Sequence, residues 1–170
     1  ELFVDNVPNS FVVRAAGGYR LYTNADATSG VKLDNGDGAW ETQSDRNSKE
    51  NFRDIDADQV LKKISALNIQ SWNYKAQDPE IRHVGPVAQD FFEAFGLGSS
   101  DKYISTIDPA GINMLAIQAL EKRTDELATE NKLLKQENEQ LKEELQIIRD
   151  LQKDIEILKS LMPVSFTDKP

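Results

Sequence analysis

The chain has 170 residues, 20 of them basic and 29 acidic, with no cysteine, one histidine and a pI near 4.7. That length bounds it at one moderate domain, or a small domain plus an extended element. The acidic balance disfavours nucleic acid, whose phosphates call for clustered Lys and Arg. The missing cysteines exclude disulfides and thiolate chemistry, and His83 alone offers no histidine cage for a metal.

No stretch reaches the roughly 18 apolar residues of a membrane span, and no basic-then-apolar leader is present. The chain opens on Glu1 and reads as a piece of something longer, with any export signal expected upstream.

In chain order, residues 1–43 read as short strands punctuated by turns. "FVVRAAGGYRLYT" holds two β-rich runs around Gly17-Gly18, and "VKLDNGDGAW" carries Asn35-Gly36, a two-residue hairpin signal. Strands this few and short bury little alone and want neighbours, either an upstream domain or further copies of themselves. Residues 44–108 read as a compact α+β unit. "DADQVLKKISALN" sets Val60, Leu61, Ile64 and Leu67 on one helical face. "IQSWNYK", "HVGPV" and "KYISTID" read as extended pieces, and "AQDFFEAFG" as a helix closed by Gly96.

At Asp108 the pattern changes, with Asp108 as N-cap and Pro109 at the first helical position of a helix over 109–162, ahead of a tail at 163–170. Leu120, Leu127, Leu134, Leu141, Ile148, Ile155 and Met162 recur every seven residues. With Ile117, Thr124, Asn131, Asn138 and Leu145 three positions earlier they form an a/d seam, the pattern of a coiled coil. Beyond Ile148 the seam shifts to Leu151, Ile155, Leu158 and Met162, which calls for local overwinding or a switch of packing face. A helix about 80 Å long overhangs a body of this size, so the chain is expected to oligomerise. Asn at a with Leu at d is the pattern of parallel dimers, yet two asparagine layers and Thr124 weaken the seam.

For chemistry, "QSDRNSKEN" offers Ser44 and, five residues on, Lys49. By spacing alone the segment is a solvated loop, with Ser44 or Asp45 capping the next turn. Ser–Lys is nonetheless a sufficient pair for acyl transfer, provided the lysine reaches the hydroxyl and is neutral, which burial or a neighbouring cation such as Arg46 favours. His83, beside "VGPV", reads as a hydrogen-bonded structural residue. "DNGDG" lacks the alternating oxygen ligands and closing Glu of a calcium loop and reads as a turn. The aromatics of "WNYK" and "DFFEAF" read as core.

Several motifs in one order then carry a resemblance. "GAWETQSDRNSKENFRDID", a helix, "SWNYK", "HVGPVAQDFFEAFG" and "YISTIDPAGINMLAIQALE" resemble the intramolecular chaperone auto-processing domain. That is the self-cleaving C-terminal module of phage endosialidase tailspikes and tail fibres, found also on bacterial surface proteins and on an animal membrane-bound transcription factor. The likeness runs from about Gly38 to Leu120. It rests on Ser44, Asp45, Lys49, Glu50 and Asn51, and on a Gly-x-x-Ala-Gln motif at Gly85, Ala88 and Gln89.

The resemblance implies an α+β homotrimer with a C-terminal coiled coil that folds the preceding β-rich stalk (here residues 1–43) and then cuts itself away. Carried over, the scissile bond is Gln43–Ser44, Ser44 is the nucleophile and Lys49 its general base. The partners implied are other copies of the chain and its own stalk, without cofactor, metal, nucleic acid, membrane or small-molecule substrate, on a virion or a bacterial surface. Two other readings stand beside it: an inert trimerising cap of the same fold, and a dimeric coiled-coil adaptor. The adaptor reading leaves "SDRNSKEN" and "HVGPVAQ" without a role.

Overall fold

The computed structural model describes residues 7–161, and the chain divides into two compact units, Glu1–Asp54 and Ile55–Pro170. Residues 1–6, Met162 and the tail at 163–170 lie outside the described residues. The architecture is mixed α+β: two small antiparallel sheets, two short helices and one long C-terminal helix.

The first unit is a three-stranded sheet of β1 (Tyr19–Tyr22), β2 (Gly30–Leu33) and β3 (Glu41–Thr42), paired in that order. Tyr22 faces Gly30 across β1–β2, and Val31 faces Thr42 across β2–β3. Asn24 closes the first hairpin: its Oδ1 accepts from the backbone N–H groups of Thr28 and Ser29, both at 3.1 Å. The second connection turns at Asn35-Gly36, with Asp37 N–H donating to Asp34 O at 3.1 Å and Gly36 at φ 86°, a left-handed conformation that glycine adopts freely. Pairing resumes only at Glu41, so the loop is longer than the two-residue hairpin expected of that dipeptide.

The run Phe11–Arg14 also departs from expectation, since it forms no strand. The Tyr19 side chain clips it instead, its hydroxyl donating to Val13 O and accepting from Ala15 N–H. Phe11 is left 92% exposed, and no described residue of this unit is buried. A row of ion pairs crosses all three strands, Arg20–Asp34 at 2.8 Å, Lys32–Asp34 at 2.5 Å and Lys32–Glu41 at 2.8 Å. The Lys32 hydrogen bond holds the Asp34 carboxyl below its usual range, and Asp34 and then Glu41 push the Lys32 ammonium up. These groups are solvent-exposed, so the row contributes little to stability.

In the second unit, α1 (Ala57–Ala66) is capped by Asp56, whose side chain accepts from Gln59 N–H, and turns Val60 inward as the heptad-like spacing predicts. β4 (Gln70–Trp72) pairs antiparallel with β5 (His83–Gly85). α2 (Ala88–Phe95) ends at Gly96 with φ 64°, the left-handed C-cap read from the sequence. Val60, Phe91 and Ile112 form the centre of the core, with Ile64, Leu67, Phe95, Leu97 and Ile104 packed around them. "KYISTID" is not a strand: Ile104 enters this core from a loop, and no described strand pairs with it.

α3 runs unbroken over Ile107–Leu161, 55 residues or about 80 Å. It begins two residues before the proline at 109, so Asp108 lies in its first turn and is not its N-cap; Ser105 Oγ accepts from Ile107 N–H at 3.4 Å instead. Ile112, Ala116 and Ala119 are buried where α3 packs against α1, small residues there allowing close approach. Roughly a quarter turn around the same helix, at about 100° per residue, Ile117 and Leu120 face outward. Leu120, Leu127, Leu134, Leu141, Ile148 and Ile155 are each about half exposed, an unpartnered apolar stripe along the helix. Thr124, Asn131 and Asn138, the polar layers of that stripe, bond back to the carbonyls four residues earlier at 2.8, 2.9 and 2.9 Å.

Candidate active site

The site is built by a short return of the chain directly after β3. Ser44 leaves the sheet, and Asp45 caps a single 3-10 turn over Arg46–Ser48. Asp45 Oδ1 accepts from Asn47 N–H at 2.9 Å and from Asn47 Nδ2 at 3.2 Å, while its carbonyl accepts from Ser48 N–H at 3.1 Å. Aspartate suits this position because its short side chain reaches the free N–H groups that every helical start leaves over. One turn reverses the chain, so Lys49 emerges extended (φ −128°, ψ 152°) on the side from which Ser44 departed.

Lys49 Nζ then donates to Ser44 Oγ at 2.5 Å. The structure thus brings together the two residues that the sequence singled out, and does so within one chain. The capped-loop reading and the dyad reading of "SDRNSKEN" describe one object: the cap is what sets the pair side by side. Both side chains are exposed in this chain.

Neighbouring residues fix the turn from outside. The Arg46 guanidinium lies over the Phe52 ring, 4.9 Å from its centroid, a cation–π contact. Asn51 has φ 55°, left-handed backbone that asparagine tolerates best after glycine, and it swings the chain from Lys49 towards Phe52. Phe52 carries no signal in the sequence beyond being apolar, whereas the Asp45 cap was legible from residue type.

On the other side of Ser44, Gln43 still belongs to the sheet. Its N–H donates to Gly30 O at 3.0 Å, extending the β2–β3 ladder by one residue. Among the described residues no backbone donor outside the sheet ladders reaches the Gln43 carbonyl.

The other candidates fall where the residue reading put them, except for part of the aromatics. His83 Nε2 lies 2.9 Å from Gln77 Oε1, and its ring meets Trp72 at a tilt and Tyr74 edge-on, with centroids 4.9 and 5.4 Å away. It is a bonded member of an aromatic cluster in the second unit. Gly85 ends β5, its carbonyl accepting from Trp72 Nε1 at 3.2 Å, and Ala88 and Gln89 open α2. The aromatics divide: Phe91 is core at 3% exposure, while Tyr74 remains 58% exposed. "DNGDG" is a turn.

Residues 44–96 match the model of a peptidase family described as the chaperone of endosialidase. Over that stretch, about a third of the chain, the sequence is similar to that family. The match begins on Ser44 and ends on Gly96, the C-cap of α2, so it takes in the turn, α1, β4, β5 and α2. No curated protein and no solved structure matches the chain. The resemblance read from the motifs is thereby borne out over residues 44–96.

Proposed function

We propose that this chain gathers into a homotrimer along the α3 stripe, assists its own upstream β segment to fold, and then severs itself at Gln43–Ser44. The observation that carries this reading is the Lys49–Ser44 hydrogen bond, formed at the first residue of the chaperone match and directly after a strand that holds Gln43.

In the reaction, neutral Lys49 takes the Ser44 hydroxyl proton as Oγ bonds to the Gln43 carbonyl carbon. The tetrahedral intermediate collapses with loss of the Gln43 C–Ser44 N bond, and Lys49 returns its proton to the departing Ser44 amine. An ester between Gln43 and Ser44 Oγ results. Water hydrolyses it to a Gln43 carboxylate and a free Ser44 hydroxyl, releasing residues 44–170. The lysine base works only in its neutral form, so neighbouring copies that cover the exposed turn would switch the reaction on by withdrawing water.

The α3 stripe supports self-association. Six large apolar side chains seven residues apart stand half exposed, and three-chain assembly would bury them while raising the local concentration of the strands in the first unit. One observation favours a second reading, an inert trimerising cap: Ser44 and Lys49 are both solvent-exposed, with no burial to set them apart from an ordinary surface pair.

Intact mass separates the two. The active reading expects two fragments meeting at Gln43–Ser44 from the unaltered chain, and a single uncut chain from Ser44→Ala and from Lys49→Ala, both variants sedimenting as the uncut trimer. One uncut chain in all three would leave the inert cap.

A further inference from the structure

We infer that Gly30 is the positioning residue of the cleavage reaction, holding the scissile residue through its main-chain carbonyl. The inference rests on the self-cleavage reading above and adds to it the part of the chain that presents the carbonyl.

Two requirements meet at Gly30. On one side, its carbonyl accepts the Gln43 N–H at 3.0 Å, the last bond of the ladder before the chain leaves the sheet. On the other, it faces Tyr22 of β1 so closely that no side chain fits. A Cβ at Gly30 would lie 2.2 Å from Leu21 O and 3.0 Å from Tyr22 Cα, both backbone atoms. Glycine is therefore the residue that lets β2 sit against β1 while its outer edge grips Gln43.

The arrangement divides the peptide bond between two supports. Gln43 is fixed by the sheet, whereas Ser44 and Lys49 belong to the capped turn. The Gly30 bond fixes the Thr42–Gln43 peptide, so only the two backbone torsions of Gln43 lie between the sheet and the scissile carbonyl, and a shift of that anchor carries the carbonyl away from the approaching Ser44 hydroxyl. The Asn24 loop, which binds the Ser29 N–H at 3.1 Å, steadies the residue before Gly30 from the opposite end. After cleavage Gln43 keeps its bond to the sheet, so the new carboxyl end stays with the strands and the chaperone domain alone departs.

Adding a methyl group at position 30 forces β2 away from β1 by about an ångström, and misplacement on that scale costs on the order of a hundredfold in a positioned reaction. The test follows pulse-labelled full-length chains made in a cell-free system, comparing the unaltered chain, Gly30→Ala and Gly38→Ala. At Gly38 a Cβ meets nothing within 4 Å and φ is not left-handed, so it controls for loss of a glycine as such.

Gly30→Ala is expected to lower the rate constant of cleavage roughly ten- to a hundredfold with the final extent of cutting and the sedimentation unchanged, and Gly38→Ala to cut like the unaltered chain. A merely structural defect gives the opposite split, since the chains that fold would cut at the normal rate and the rest never. That split, or normal cutting by Gly30→Ala, overturns the positioning role alone. An uncut parent chain overturns the self-cleavage reading and this inference with it.

Discussion

If the chain cleaves itself as proposed, removing the Asp45 cap should slow the cut about fivefold. Asp45 accepts two hydrogen bonds from Asn47, at 2.9 and 3.2 Å, and they hold the one turn that returns Lys49 to Ser44. Capping side chains of this kind contribute about 1 kcal/mol. Loss of that amount from the turn lowers the population with Lys49 against Ser44 by about fivefold, because 1.36 kcal/mol corresponds to tenfold. Asparagine caps as well as aspartate, so Asp45→Asn should keep most of the rate while Asp45→Ala loses it. The assay is the first-order loss of labelled full-length chain, with Ser44→Ala as the zero. Equal slowing by Asn and Ala would show that the charge of Asp45 matters and not its cap, and would refute this account of how the dyad is assembled.

Other expectations follow from the same geometry. Phe91→Ala removes a ring 3% exposed and stacked 5.0 Å from Phe95, and should cost about 3–5 kcal/mol in denaturant unfolding of the second unit. Replacing both Leu127 and Leu134 by Lys should abolish the proposed trimer in sedimentation, and a surviving trimer would move the interface off the α3 stripe. Asn131→Ile with Asn138→Ile should raise the melting temperature of the assembled helices and admit oligomers of other sizes, since buried polar layers set register at a cost in stability. Asp34, its carboxyl held low by the Lys32 hydrogen bond, contributes stability that is present above the ordinary carboxylate range and fades as pH falls through its depressed value. An NMR titration of Asp34 should therefore move up on Lys32→Ala.

Much of this was legible in the sequence, for reasons that differ by element. α1, α2 and α3 announce themselves by periodic apolar residues and, in α2, by a glycine at the C-cap, signals local to each segment. The Asp45 cap was legible for the same reason, as its partners lie two and three residues away. "KYISTID" and Phe11–Arg14 misled because strand-like composition says only that a segment fits a sheet, not that a neighbouring strand exists for it. Ile104 went to the helical core, and the Phe11 run met a tyrosine hydroxyl. Gly30 gave no sign at all, because what makes it necessary is Leu21 on another strand.

The shortness of the catalytic turn has a consequence for timing. Ser44 and Lys49 are five residues apart, and closing so small a loop takes well under a microsecond. The sheet that holds Gln43 needs Gly30, thirteen positions back, and Gly30 in turn needs β1, so it forms later and with help. The nucleophile is thus ready long before its target is presented. On the self-cleavage reading, the delay before cutting lies in the strands, whose slow arrival serves as the clock.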